Sequence, residues 1–255
     1  MKKITKKDKL NLLRWFRVLV QILFFIFLPA VFSQSFAAVK SVAETVGKGE
    51  VIKNNSFITS FIIVSIITIL CGRIFCGWAC SFGAFGDWIY QLSEFIQKKT
   101  KCKLPKLSDR MVSYLKILKY IVLITIVILC FMGKASVVAK NSPWTIFSLV
   151  RVGQYKFAVY IMSTILMLLL IVGMAIKERF FCQFLCPLGA IFAVLPLLPL
   201  FTLKRNKDNC IQKCNACKNN CPVKIKLQDN TITDGECISC MRCKMICPKG
   251  NIKGI

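Results

Sequence analysis

The chain contains no histidine, and only 11 of its 255 residues are Asp or Glu. The first absence removes whole classes of chemistry. Without imidazole there is no His-ligated haem, no Rieske centre, no His-containing zinc site and no Ser-His or Cys-His catalytic pair. No nucleotide-phosphate loop of the glycine-rich or Walker type occurs either. Charged residues are scarce at 18%, hydrophobic ones reach 56% and the mean hydropathy is +0.61. That balance excludes an ordinary soluble globule. Two things are abundant: 36 Lys and Arg, which give a formal charge of +25, and 15 cysteines. An odd count excludes a fully paired disulfide framework. The chemistry of this chain must run on cysteine.

The apolar residues form blocks. Four stretches, 15–32, 56–72, 114–132 and 157–176, have the apolar length of roughly 17–25 residues that a bilayer-crossing helix needs. Lys116 and Lys119 near the start of the third are expected to snorkel to the headgroups. A fifth block, 190–203, is broken by Pro196 and Pro199 and reads as an interfacial segment. Positions 1–17, 73–119 and 177–255 hold 7, 9 and 13 Lys or Arg, against 3 in 37–55 and 4 in 133–156. By the positive-inside rule both termini are cytoplasmic, and much of the +25 is a topology signal rather than a nucleic-acid footprint. The Lys-rich start and Ser35-Phe36-Ala37 resemble a cleavable signal peptide, but the internal repeat argues for retention.

That repeat appears after a shift of 106. Arg73-Ile-Phe-Cys76-Gly-Trp-Ala-Cys80-Ser-Phe-Gly-Ala84 matches Arg179-Phe-Phe-Cys182-Gln-Phe-Leu-Cys186-Pro-Leu-Gly-Ala190. Each copy follows a two-span hairpin. In the second outer loop Ser142-Pro143 is expected to open a short helix that Gly153 closes. After the first motif, Trp88, Ile89, Leu92, Phe95 and Ile96 fall on one helical face, so 84–97 is expected along the membrane interface. A duplicated membrane unit brings like elements together around a pseudo-two-fold axis. Cys76, Cys80, Cys182 and Cys186 can then hold an iron–sulfur cluster, bind a soft metal such as Cu(I), work as redox-active thiol pairs, or simply pack. Cys71, Cys102 and Cys130 fit no pattern and read as apolar thiols.

From residue 204 the chain turns polar and cysteine-dense. Cys237-x2-Cys240-x2-Cys243-x3-Cys247-Pro248 is the bacterial ferredoxin run, and Cys210-x3-Cys214-x2-Cys217-x3-Cys221-Pro222 is the same run with one extra residue in its first gap. Three closely spaced cysteines wrap one cubane, and the fourth reaches the neighbouring one. The spacing therefore predicts two [4Fe-4S] clusters: cluster A on Cys210, Cys214, Cys217 and Cys247, and cluster B on Cys237, Cys240, Cys243 and Cys221. The extra residue before Cys214 is expected to bulge that loop or loosen that ligand. With 11 Lys or Arg against 4 Asp or Glu, residues 204–255 form a basic domain suited to acidic partners or anionic headgroups.

On these motifs, from Trp15 to Gly250, the chain resembles the NapH/NosR/CcoG-type membrane ferredoxins, with the four-span NapH form most alike in layout. The resemblance implies an α-helical membrane protein. Four transmembrane helices form two repeated hairpins over residues 1–203, and a small C-terminal α+β ferredoxin-like domain follows over 204–255. It implies a multi-pass protein of the bacterial cytoplasmic membrane with its ferredoxin domain in the cytoplasm. Cys182 and Cys186-Pro187 match one family motif in full; Cys76 and Cys80 match the other, but Ser81 stands where the family has proline. The function implied is relay of electrons between a membrane donor or acceptor, a quinol, and a partner redox protein, as a subunit rather than a stand-alone enzyme. Direct quinol oxidation calls for a proton acceptor, and Glu44, Glu50, Asp87, Glu94 and Glu178 are the only nearby acids. Two other readings compete: a copper-type metal reductase or maturation factor using the Cys-x3-Cys pairs, and a redox sensor.

Overall fold

The computed structural model describes residues 6–28, 31–51, 55–101, 104–105, 107–153, 159–195, 203–206, 208–211, 214–225 and 234–254. Residues 196–202 of the expected interfacial segment, the start of the expected fourth span and Cys102 lie outside them. The chain divides into two compact units, one made of Met1–Leu28, Ser65–Ala84 and Ile191–Ile255, the other of Pro29–Val64 and Phe85–Ala190.

In the first unit, α1 (Lys6–Phe27) packs on a π-helical turn at Phe75–Ala79 and on α12 (Arg242–Ile246). Leu13, Arg17 and Gln21, each four residues apart, make its buried stripe, while Trp15, Phe16, Leu19, Ile22 and Ile26 are exposed. Polar groups inside and apolar ones outside invert the pattern of a water-soluble helix. The C-terminal segment holds α11 (Ala216–Asn219), α12 and an antiparallel ladder of β1 (Lys204–Arg205) with β2 (Ile252–Lys253), pairing Lys204 with Lys253 and Arg205 with Ile252.

The second unit is built around α5 (Asp109–Phe131), 23 residues or about 35 Å at 1.5 Å per residue, enough to cross a hydrocarbon core of about 30 Å. It alone is long and apolar enough among the described helices, unless α1 and α2 (Val31–Gly47) are taken together as one broken span. Two shorter apolar helices, α3 (Ser56–Cys71) and α8 (Ile161–Ile176), have 16 residues each. Both present large apolar side chains outward: α3 exposes Ile62, Ile63, Ile66 and Ile67 while burying Val64 and Thr68, and α8 exposes Ile165, Leu168, Leu169 and Val172 while burying Ser163, Met167, Leu170 and Met174. The α4 helix (Ser81–Thr100) leaves Leu92, Phe95 and Ile96 exposed.

Three expectations need revising. The first apolar block begins its helix at Lys6 and ends it at Phe27, because the charged residues before Trp15 are good helix formers. The 37–55 loop is largely α2, which packs along α5, with Gly47 against the Phe131 carbonyl. Lys119 does not reach outward: it is wholly buried, its ammonium 5.0 Å from the Tyr120 ring centroid. In the second loop, α6 (Ala135–Lys140) precedes α7 (Pro143–Val152). The latter has Pro143 in its first turn and ends at Gly153 with φ 72°, the left-handed conformation that glycine adopts at no steric cost.

Candidate iron–sulfur sites

The two Cys-x3-Cys segments share a backbone scheme. The Cys80 amide donates to the Phe75 carbonyl at 2.9 Å, and the Cys186 amide to the Phe181 carbonyl at 2.9 Å, each spanning five residues rather than four. Residue 77 donates to Arg73 and 183 to Arg179; residue 84 donates to Cys80 and 190 to Cys186, all displaced by the same 106. The second copy uses α9 (Phe180–Phe184) where the first has its π turn. Cys80 immediately precedes α4, and Cys186 immediately precedes α10 (Pro187–Val194). Ser81 and Pro187 thus occupy the same first helical position, where proline is favoured but not required. The missing proline leaves the local fold alike. All four cysteines are buried, and the Gly189 amide donates to the Cys186 sulfur at 3.2 Å.

The side-chain surroundings differ. Arg179 is locked to Asp87 at 2.6 Å with both side chains almost fully buried, so Asp87, one of the acids considered for proton transfer, is held by a guanidinium. Gln183 is also buried, and among the described residues neither its amide nitrogen nor its carbonyl oxygen has a hydrogen-bond partner. Phe181, one residue before Cys182, joins an aromatic cluster of Phe32, Phe36 and Trp144, with the Trp144 and Phe181 rings 6.1 Å apart. Periodicity within the loops held no signal of this cluster, since its members come from α2, α7 and α9.

Beside it lies an apolar cavity of about 480 Å³, walled by α5, α7, α8 and α9 side chains that include Ile126, Trp144, Leu170 and Phe181. The Trp144 indole N–H has no hydrogen-bond partner among the described residues.

The C-terminal cysteines fall into two groups. A cavity of about 490 Å³ is lined by Cys210, Cys214, Cys217 and Cys247, with Arg205, Asp208 and Lys249 also at its wall. The β1–β2 ladder sets Arg205 beside the cavity, its guanidinium 4.0 Å from the Cys217 sulfur. The Asn251 amide donates to the Cys247 sulfur at 3.3 Å. Cys214 is the exposed member; residues 212 and 213, in the lengthened gap, lie outside the described set.

The other four thiols, Cys221, Cys237, Cys240 and Cys243, stand close enough that Cys240 acts on the charge of the other three, and Cys221 on that of Cys237 and Cys243. Burial is the main influence on them. It pushes the Cys237 thiol up to about 12 and raises Cys243 and Cys221 too, so a cluster held here as thiolates would displace protons on binding at neutral pH. Ser239 (φ 47°) and Met241 (φ 58°) take left-handed conformations that wind the chain between Cys237 and Cys243, a strain that marks functional loops. Among the described residues no three Cys, Asp or Glu side chains converge tightly enough for a single metal ion. A cubane spreads its thiolates over a wider shell than one ion does, so both groups of four suit the larger core.

Residues 56–101 and 160–205, which hold α3 and α8 with the cysteine pairs that follow them, each match a 4Fe-4S binding domain family. Over 247 residues the chain is 29% identical to an uncharacterised protein of Methanocaldococcus jannaschii, covering 95% of this chain and 94% of that one. It is 31% identical over 183 residues to the regulatory protein NosR of Stutzerimonas stutzeri, covering 69% of this chain and 24% of NosR. It is also 25% identical over 203 residues to the ferredoxin-type protein NapH of Haemophilus influenzae, covering 75% of this chain and 65% of NapH. The chain belongs to the NapH/NosR-type membrane ferredoxins. No solved structure matches it. Like its family, this NapH/NosR-type protein is an iron–sulfur protein of electron transport. The family match falls on the Cys-x3-Cys copies, the motifs whose chemistry spacing alone left open.

Proposed function

We propose that this protein relays electrons between a membrane quinol and a soluble redox partner through two [4Fe-4S] clusters. Cluster A is held by Cys210, Cys214, Cys217 and Cys247, and cluster B by Cys237, Cys240, Cys243 and Cys221. The observation that carries this reading is the exchange of fourth cysteines. Cys247, from the second run, lines the cavity with the first run's trio, and Cys221, from the first, stands among the second run's trio. Such crossing is how a two-cluster ferredoxin is ligated. When bound, each cubane accepts and returns one electron at a time, and Arg205 beside Cys217 favours the reduced form by its charge.

The membrane half of the proposal rests on α1, α3, α5 and α8 as four spans, whose exposed isoleucines and leucines and inward polar groups suit a lipid surround. Both termini and the residue 204–255 domain are then cytoplasmic. The apolar cavity beside Phe181 has the volume and lining of a small-molecule site, and the Trp144 N–H is suited to a quinone carbonyl.

Iron and acid-labile sulfide measured on anaerobically purified protein test the core of this. About eight irons per chain, with cubane EPR signals on reduction, is the expected result. A further quota lost when Cys76, Cys80, Cys182 and Cys186 become serine assigns another cluster to the membrane motifs. Zinc in place of iron overturns the proposal.

A further inference from the structure

The first Cys-x3-Cys segment does more than repeat the second. It grips the loop that carries Cys237 and Cys240. Arg73 is 1% exposed, and one of its terminal nitrogens donates to the Gly235 carbonyl at 3.3 Å and to the Glu236 carboxylate at 3.2 Å. The Trp78 indole N–H donates to the Ser239 carbonyl at 3.1 Å. The Ser239 hydroxyl in turn donates to the Cys71 carbonyl at 3.3 Å. Between these anchors the chains touch backbone to backbone. A Cβ built on Gly77 lies 2.2 Å from the Ile238 carbonyl oxygen, so only glycine fits without a shift. The far side is braced by α1, where Arg17 donates to the Gly77 carbonyl at 2.9 Å and Phe16 stacks edge-on against Trp78.

The second copy lacks every one of these adaptations. Gln183 stands at the position of Gly77, Phe184 at that of Trp78, and Arg179 takes Asp87 as its partner. Two of the six differences between the copies, at Gly77 and Trp78, thus fall on residues that receive the cysteine loop. The Cys210–Cys214–Cys217 cavity presents a different face, with exposed Cys214 and Lys249 at its wall.

We propose that Arg73 and Trp78 are positioning residues for cluster B, fixing it, rather than cluster A, against the membrane segment. This rests on the two-cluster reading above. Arg73 and Trp78 act through the loop and touch no ligand sulfur in this argument. Arg73 supplies the charge that balances Glu236 next to Cys237, and Trp78 fixes the orientation of the peptide before Cys240. When bound, cluster B would supply a one-electron acceptor for the quinol donor proposed above, held in place by Arg73 and Trp78 through their loop.

The test is potentiometric EPR titration of the purified full-length protein carrying Arg73→Gln, Arg73→Lys or Trp78→Phe, each with iron counted first. With eight irons retained, Arg73→Gln is expected to shift one of the two potentials to more negative values, because Glu236 loses its counter-charge. Arg205→Gln, beside Cys217, is expected to move the other. Arg73→Lys restores the first potential, which a merely structural role would not produce. Trp78→Phe keeps the ring and removes the N–H, so it is expected to change the spectrum of the Arg73-sensitive cluster alone; it decides the matter if Arg73→Gln loses its iron. Arg73 and Arg205 variants moving the same potential, or Arg73→Gln and Trp78→Phe moving neither, overturns the inference. An iron-free wild-type protein overturns the two-cluster reading first and this inference with it.

Discussion

The two Cys-x3-Cys copies have one backbone and two social settings. Both close with a five-residue hydrogen bond to the residue before the first cysteine, and both place the second cysteine just ahead of a helix. Yet copy one meets a cysteine loop 161 or more positions away, through Arg73 and Trp78, while copy two is met within its own unit by Asp87. Duplication therefore supplied a frame, and single substitutions within it, Gly for Gln and Trp for Phe, decided what each frame holds. A motif's spacing reports the frame. Its neighbours report the use.

The comparison can be broken most severely at Arg179–Asp87. Replacing Asp87 by Ala leaves a buried guanidinium without its carboxylate and should cost about 3–5 kcal/mol, seen as a lower denaturation midpoint in detergent, with the C-terminal cubanes still assembled. Gly77→Ala comes next. Overpacking against the Ile238 carbonyl should cost about 1–3 kcal/mol and lower the iron content of the protein. Gln183→Leu probes the matching position in copy two. Removing an amide that has no partner should raise stability by about 1 kcal/mol, and a loss of bound iron instead would show that this amide faces a ligand. Ser81→Pro is the mildest change. Giving copy one the proline of copy two should stabilise it by about 0.4–1 kcal/mol, and destabilisation would mean that the two helix starts are less alike than their backbones.

The cysteine runs were legible in the sequence because the cluster ligation proposed for them is local. Cys237, Cys240 and Cys243 must lie within one short loop, so their chemistry is written as spacing. The repeat was legible for the same reason, down to the helix that Pro143 opens and Gly153 closes. What stayed hidden depends on distant partners. Lys119 looked like a residue that would reach for the headgroups, and nothing around it in the sequence announced that it would be buried beside Tyr120. The helical character of residues 31–47 was masked by its Ser, Ala and Lys content, which broke the apolar run; its buried face of Phe32, Ser35, Phe36 and Ala38 shows only once α5 and Trp144 are in place. Arg73 and Arg179 were visible as a repeated letter, but their unlike partners were not.

The long reach of Arg73 also bears on how the protein is made. Translation produces this guanidinium 163 residues before the carboxylate it pairs with, and α5 and α8 are both synthesised in the interval. Arg179 suffers no such wait, since Asp87 has already emerged when it appears. The segment synthesised first is thus the one completed last. Until the cysteine loop arrives, Gly77 has an open flank and Arg73 lacks the Glu236 carboxylate. On the two-cluster proposal, delivery of iron and sulfide to that loop, by setting its shape, becomes a late step in completing the first unit as well. Iron starvation should then leave inserted but protease-sensitive chains, cut in the stretch around residue 73 before the stretch around residue 179.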